Sequence, residues 1–250
     1  MTNRNNNKFF SYEKENIIME LISTVQDVEI KDFEGDIFVI SDGKFIKGLT
    51  GNEFLVYYSF LGLVSRHDNN GQHYIYKNDL SFNKLEQELC LRGKKEGSIM
   101  TRKTMKSTFE QLVKKKVFKL VELDNGEEVY YIIQAKNYLF TRISKETYRR
   151  FSRAMSGDAL KIYCFIKGNL ENVKKNGRST LYLNRETIAI NCNITNKGSV
   201  GERQLKNVGI IMKTLKENFG LLEYKTSKRT INGNITGIYE ITNIKEKYNE

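Results

Sequence analysis

Several residue types are scarce in this sequence of 250 residues, which has no proline, no tryptophan, two histidines and three cysteines. The cysteines (Cys90, Cys164 and Cys192) are odd in number and lack C-x-x-C spacing, which argues against a disulfide framework and against a zinc site. His67 and His73 lie in one polar segment, at a spacing that fits neither a histidine-hydrophobe-histidine nicking endonuclease nor a zinc protease. We therefore predict buried thiols, histidines in a surface loop, and no metal site.

Long apolar stretches and phosphate-binding motifs are also missing. No run of about 18 apolar residues occurs, and the start of the chain lacks the apolar segment of a signal peptide. The chain contains no G-x-x-x-x-G-K-S/T motif, and its carboxylates are scattered without an evident pair. We therefore expect a cytoplasmic protein with no membrane partner, no cofactor and no enzymatic activity.

Positive charge is abundant: 41 Lys and Arg against 30 Asp and Glu give a net charge of +11. Hydrophobic residues make up 39% of the chain and include 14 Phe and 14 Tyr, which is enough to build a core. A disordered polycation would be poorer in such residues, so most of the chain is predicted to fold. A basic folded protein of this kind is expected to have a polyanionic partner.

One segment of the sequence recurs at an offset of 106 residues, where 50–57 matches 156–163. The shared pattern is Ser/Thr-Gly-Asn/Asp-x-Phe/Leu-x-Val/Ile-Tyr. Each copy opens with a hydroxyl residue suited to an N-cap, Thr50 or Ser156, and continues with apolar residues at helical spacing. Both copies therefore predict an amphipathic helix of about four turns.

The same series of elements follows each predicted helix: a polar loop, a short strand, a short helix, a turn, a long helix and a two-stranded hairpin. In the first copy these lie at 66–71, 74–76, 82–90, 92–97, 101–115, and 118–123 with 127–133. In the second they lie at 173–178, 181–183, 185–191, 193–198, 201–218, and 221–225 with 237–242, the last two flanking a long loop over 226–236. This order is typical of a winged helix, a helix-turn-helix followed by a hairpin. We predict an α+β chain with two tandem winged-helix domains; a repeat of unrelated α+β units is the alternative.

The predicted organisation has four parts. Residues 1–44 form an N-terminal arm, with a disordered start over 1–12, a helix over 13–25 and a hairpin over 36–49 that leads into the next part. The first winged-helix domain spans 45–136 and the second 144–245, joined by a linker at 137–143.

The positive charge is concentrated in three segments. Segment 92–116 has nine basic and two acidic residues, 136–153 has six and one, and 197–216 has five and one. Their net charges of +7, +5 and +4 together exceed the +11 of the whole chain, so the remainder is mildly acidic. Two of these segments contain the predicted long helices, which favours a nucleic-acid interface over helix faces that carry Lys for solubility alone.

Helical spacing assigns the exposed residues of the two long helices to DNA contacts. Arg, Lys and Asn side chains can read base edges from the N-terminal half of a recognition helix, while other cations contact phosphates. The candidates for base readout are Arg102, Lys103, Lys106, Ser107, Arg203, Lys206 and Asn207. The candidates for phosphate contact are Lys94, Lys95, Lys114, Lys115, Lys213, Lys228 and Arg229.

The duplicated pattern, the order of elements and the basic long helices resemble the replication initiator proteins of theta-replicating plasmids and related phages, over about 45–242. The resemblance implies binding of double-stranded DNA at directly repeated origin sites, melting of adjacent AT-rich DNA, and recruitment of the host helicase or its loader. It also implies repression of the chain's own gene by a homodimer joined through the first unit. Two alternatives are a transcriptional regulator with tandem winged helices, and a primosome or partition adaptor in which one winged helix binds protein.

Overall fold

Helices and small antiparallel sheets alternate along the chain in the computed structural model, which describes residues 36–63, 66–67, 73–93, 98–133, 138–195, 199–231 and 234–245. The predicted disordered start over 1–12 and the predicted helix over 13–25 lie outside these residues. The sheets contain two, four and three strands, all paired antiparallel. The predicted α+β class is confirmed.

The first half of the described chain contains β1 (Ile37–Ile40), α1 (Gly43–Lys47), α2 (Gly51–Leu63), β2 (Arg66–His67), β3 (His73–Tyr76), α3 (Phe82–Leu89), α4 (Arg102–Lys114), β4 (Phe118–Glu122) and β5 (Glu128–Ile132). The second half contains β6 (Phe140–Ile143), α5 (Lys145–Ala154), α6 (Gly157–Lys175), β7 (Leu181–Asn184), α7 (Arg185–Asn191), α8 (Glu202–Lys213), β8 (Leu222–Ile231) and β9 (Asn234–Ile244). A π-helical turn, Thr214–Asn218, extends α8.

The series strand, helix, helix, strand, helix, helix, hairpin occurs once in each half. In both halves the middle strand pairs with the second strand of the hairpin, which gives the orders β3-β5-β4 and β7-β9-β8. The first strands of the two halves, β1 and β6, pair with each other, with Ile37 opposite Ile143 and Ile40 opposite Phe140. The repetition of elements therefore begins at β1 and β6, earlier than the sequence motif indicates.

The prediction of a hairpin over 36–49 is wrong. The Asp42 carboxylate accepts a hydrogen bond from the Lys44 backbone N–H at 2.8 Å, so this residue caps helix α1 and does not form a hairpin turn. Strand β1 pairs instead with β6, which occupies most of the predicted linker at 137–143. His67 and His73, predicted in a loop, lie opposite each other in strands β2 and β3.

Helices α2 and α6 are buried at the centre of the fold. Every residue from Phe54 to Leu61 is at most 3% exposed, so α2 is covered on all sides and is not amphipathic as predicted. The first turns of the two helices are in contact. A Cβ atom added to Gly157 would lie only 1.9 Å from the Gly51 carbonyl oxygen, so no side chain fits there. The glycines of the duplicated motif therefore allow two helix starts to touch.

A second pair of glycines recurs at the same offset, Gly62 in α2 and Gly168 in α6. A Cβ atom on Gly62 would lie 2.4 Å from the Tyr148 ring, and one on Gly168 would lie 2.0 Å from the Ser41 hydroxyl oxygen. Each glycine thus admits a side chain from the other half of the described chain. The two halves interlock at positions that recur in the sequence.

Helix α4 packs one face on the central core, as its apolar spacing predicts. Phe109 lies among the rings of Phe60, Phe118 and Tyr130, at centroid distances of 5.3, 4.8 and 5.1 Å. Aromatic contacts of this kind contribute about 0.5–1.5 kcal/mol each beyond the buried area. Burial of this face leaves the opposite face of α4 toward solvent.

The second hairpin is longer than predicted. Residues 226–236, expected to be a loop, belong mainly to strands β8 and β9, which pair from Leu222 opposite Ile244 to Ile231 opposite Asn234. The segment contains Thr226, Thr230, Ile235 and Thr236, and β-branched residues favour extended strands despite the neighbouring charges.

Candidate nucleic-acid interface

The exposed face of α4 carries most of the base-readout candidates of the first half. Arg102, Lys103, Lys106 and Ser107 are all exposed, and Thr101 caps the helix by accepting from the Thr104 N–H at 3.3 Å. No hydrogen bond or ion pair among the described residues uses the ammonium groups of Lys103 or Lys106. Both cations are therefore available to a ligand.

Arg102 is tied to helix α3. Its guanidinium donates to the Asn83 side-chain oxygen, and its backbone N–H donates to a Glu86 carboxylate oxygen at 2.7 Å. The side chain is exposed but engaged, so its first structural role is to join α3 to α4. Readout of a base by Arg102 would require exchange of the Asn83 contact.

Helix α8 presents a similar exposed face in the second half. Arg203, Lys206 and Asn207 are exposed on one side, while Val208 and Met212 are buried on the other. The exposed side also includes Ile210, which is 55% exposed. The structure thus brings together three base-readout candidates and one apolar side chain that the sequence analysis did not select.

The predicted phosphate contacts differ in their surroundings. Lys94 and Lys95 lie outside the described residues. Lys114 is exposed without a described partner, whereas Lys213 lies 3.5 Å from Glu217. An exposed pair of this kind contributes little, so Lys213 can still exchange Glu217 for a phosphate.

Lys115 makes structural contacts. Its ammonium group donates to the Glu53 carboxylate at 2.8 Å and to the Gly48 carbonyl oxygen at 2.9 Å. Burial of Glu53 raises its pKa, but hydrogen bonds from Lys115 and Thr50, together with the lysine charge, outweigh burial and hold the pKa below its usual value. Lys115 therefore neutralises a buried carboxylate at the start of α2.

Replacement of Lys115 with alanine should lower the free energy of unfolding by about 1–3 kcal/mol at pH 7, because a buried carboxylate loses its counter-charge. The lowered pKa of Glu53 means that this stabilisation is complete above its unfolded value of about 4.3 and is lost as the pH falls through the folded value. The difference between K115A and wild type should therefore shrink in acid. Urea denaturation at pH 7 and pH 3 measures it.

The neighbouring Lys114 provides the matched control, since it is exposed on the same helix end without a described partner. K114A should leave stability within about 0.5 kcal/mol of wild type. Equal stability losses in the two variants would show that the Glu53 ion pair does not stabilise the fold.

The two cations of the second hairpin, Lys228 and Arg229, point to opposite faces, because successive residues of a strand alternate. Arg229 lies 4.2 Å from the centre of the Tyr182 ring and 3.8 Å from a Glu240 carboxylate oxygen. Lys228 is exposed on the face that also carries Tyr224. The two side chains therefore cannot serve one phosphate together.

Arg185 is a candidate that the sequence analysis missed. It is exposed at the start of α7, and its Nε–H donates to the Tyr239 hydroxyl of β9 at 3.0 Å. Its guanidinium also lies across α8, 3.0 Å from where a Cβ atom on Gly209 would be. Arg185 thus places a cation between the exposed helix and the hairpin. It lies outside the three basic segments, so charge counting did not indicate it.

Two basic residues of segment 136–153, Arg142 and Arg153, are tied to other elements of the fold. Arg142 pairs with Asp36, and the Arg153 Nε–H donates to the Leu89 carbonyl oxygen at 3.3 Å. The Lys167 ammonium donates to the Arg142 carbonyl oxygen at 2.9 Å. These two cations are therefore engaged within the fold, and the exposed basic faces considered further are those of α4, α8 and the hairpins.

The part of the chain that the structure describes also bears on metal sites, membrane spans and reactive thiols. No group of three or more His, Cys, Asp or Glu side chains there is placed to hold a metal ion. No helix there combines the length and apolar character needed to cross a membrane. Cys164 and Cys192 are fully buried as predicted, and burial raises the pKa of both thiols, whereas Cys90, also predicted to be buried, is only half-buried.

Comparisons with known proteins identify no relative. No protein-family model, no curated protein and no solved structure matches this chain. Functional assignment therefore depends on the geometry and charge described above.

Proposed function

We propose that this chain is a sequence-specific double-stranded DNA-binding protein built from two tandem winged helices. In this proposal α4 and α8 are the recognition helices, and the β4–β5 and β8–β9 hairpins are the wings. The supporting topology is the repeated strand, helix, helix, hairpin with the middle strand on the second hairpin strand. An α-helix with an exposed polar face fits the major groove of B-DNA.

A single observation carries the proposal: an exposed lysine without a partner among the described residues lies at the same place in both helices. Lys103 in α4 and Lys206 in α8 are 103 residues apart, the offset that also relates the buried Leu112 to Leu215. A lysine placed only for solubility need not recur at one helical position in two copies. Recurrence on the face away from the core supports a shared ligand.

We further propose that the protein acts as a plasmid or phage replication initiator in the cytoplasm. Its two recognition helices carry different side chains at equivalent positions, such as Ser107 in α4 and Ile210 in α8. One chain with two different reading helices fits an asymmetric site, and asymmetric sites can recur as direct repeats. A palindrome is instead the expected site of two identical helices related by two-fold symmetry.

Footprinting on the DNA that flanks the gene tests this role. Several evenly spaced direct repeats support an initiator that recruits the host helicase or its loader. One inverted repeat over a promoter supports a repressor instead, and the absence of any specific footprint supports an adaptor that binds protein. The last result would overturn the proposal of specific DNA binding.

Salt dependence provides a quantitative prediction. If about six to ten phosphates are neutralised, affinity for the preferred duplex should fall about 10³-fold or more between 50 and 200 mM monovalent salt. Fluorescence anisotropy titrations at four or five salt concentrations give the slope. A decrease of less than tenfold across this range would contradict an interface built on the basic faces of α4, α8 and the hairpins.

A further inference from the structure

Ile210 is an apolar side chain in the middle of the polar face of α8. It is 55% exposed, and the spacing of Arg203, Lys206, Asn207 and Ile210 places all four on one side of the helix. β-Branched residues are weaker helix formers than Lys or Gln, so local helix stability does not explain an isoleucine here. The equivalent position in α4 is Ser107, so the repeat does not require an apolar residue there.

We infer that Ile210 recognises thymine by contacting its 5-methyl group in the major groove. This inference rests on the proposed function, with α8 as a recognition helix. Thymine presents a methyl group at the major-groove edge, and apolar side chains read it by contact. The polar neighbours Lys206 and Asn207 can hydrogen-bond adjacent base edges, so one helix face reads both polar and apolar groups.

Helix geometry limits which thymine is read. Ile210 lies three residues beyond Asn207, a rise of about 4.5 Å along the helix axis. Adjacent base pairs are stacked about 3.4 Å apart along each strand. The thymine should therefore lie one or two base pairs from the base that Asn207 contacts. With Asn207 suited to adenine, the half-site read by α8 should be AT-rich.

A second exposed isoleucine provides the matched control. Ile190 in α7 is 39% exposed, and it is not part of the α8 face that carries Lys206. Replacing Ile190 removes an exposed side chain of the same kind from outside that face. Recognition of thymine involves Ile210 alone.

The test starts with selection of duplexes from a library with a random core of about 30 base pairs. This length holds two major-groove half-sites one helical turn apart, with flanking base pairs on either side. Each thymine of the winning duplex is then replaced singly by deoxyuridine, which lacks only the methyl group. Loss of that contact should weaken wild-type binding about three- to tenfold at one position. The I210A variant should bind the original duplex correspondingly less tightly and show no added loss with deoxyuridine there. The I190A variant should behave as wild type.

Thermal melting should show that I210A is folded, because the replaced side chain is half-exposed. The assignment of Ile210 is overturned if I210A keeps the full deoxyuridine penalty, if no single thymine matters, or if I190A loses as much affinity as I210A. Failure of the proposed function is a different result: wild-type protein would then select no duplex at all, and both proposals would be wrong.

Discussion

Replacement of Lys103 and Lys206 together with alanine should abolish specific DNA binding while leaving the fold intact. Each side chain is an exposed cation without a described partner on its proposed recognition helix, and loss of one such contact costs about 1–3 kcal/mol. Two such losses amount to about 2–6 kcal/mol, so affinity for the selected duplex should fall about thirtyfold or more. The free energy of unfolding should change by less than about 1 kcal/mol, because neither side chain has a described partner to lose.

A control of equal charge distinguishes this result from a general loss of positive charge. Lys174 and Lys175 are exposed at the end of α6, outside the proposed interface, so K174A/K175A removes the same two charges. This variant should keep most of the affinity and its preference for the selected duplex. If K103A/K206A binds that duplex as wild type does, α4 and α8 are not the reading helices. If both double variants lose affinity equally, binding is unspecific.

Sequence patterns predicted the elements whose cause is local. Helix α4 begins after its Thr101 cap and ends where the periodicity of Met105, Phe109 and Leu112 ends. The first hairpin turns at Gly126, whose φ of 79° is a conformation that glycine adopts at little cost. In such cases the side chain that forms the element and the backbone that responds are neighbours along the chain.

Two of the errors involve partners that are distant in the sequence. Strand β1 pairs with β6 about a hundred residues later, and no local pattern near Asp42 indicates that pairing. The ion pair of Lys115 with Glu53 likewise depends on how α4 packs on α2, so helical spacing alone counted Lys115 as a free surface cation. The recurrence of Gly62 at Gly168 is visible in the sequence. Its cause became clear only from the side chains that pack against the two glycines in the structure.

Among substitutions that add a single methyl group, replacement of Gly157 with alanine should destabilise this fold the most. The added Cβ would lie 1.9 Å from the Gly51 carbonyl oxygen and 2.3 Å from its carbon, and these backbone atoms cannot rotate away as a side chain can. Helices α2 and α6 would have to separate at their starts. Because both are buried on nearly all sides, that shift would disturb the core of both halves.

We expect G157A to lose about 3 kcal/mol of unfolding free energy, the upper end for overpacking a core, and to melt roughly 6–12 °C lower. The control is G237A in β9, where an added Cβ meets no atom within 4 Å, so its stability should stay within about 1 kcal/mol of wild type. G51A should fall between the two, because its Cβ comes nearest to the Asp158 carboxylate, at 2.6 Å, and a side chain can rotate whereas the backbone nitrogen of Asp158 lies farther away, at 3.1 Å. Circular dichroism melts and urea titrations of the three variants give this order. Equal stability of G157A and G237A would show that the glycines of the duplicated motif are not there to let the two helices touch, and the repeated sequence pattern would need another cause.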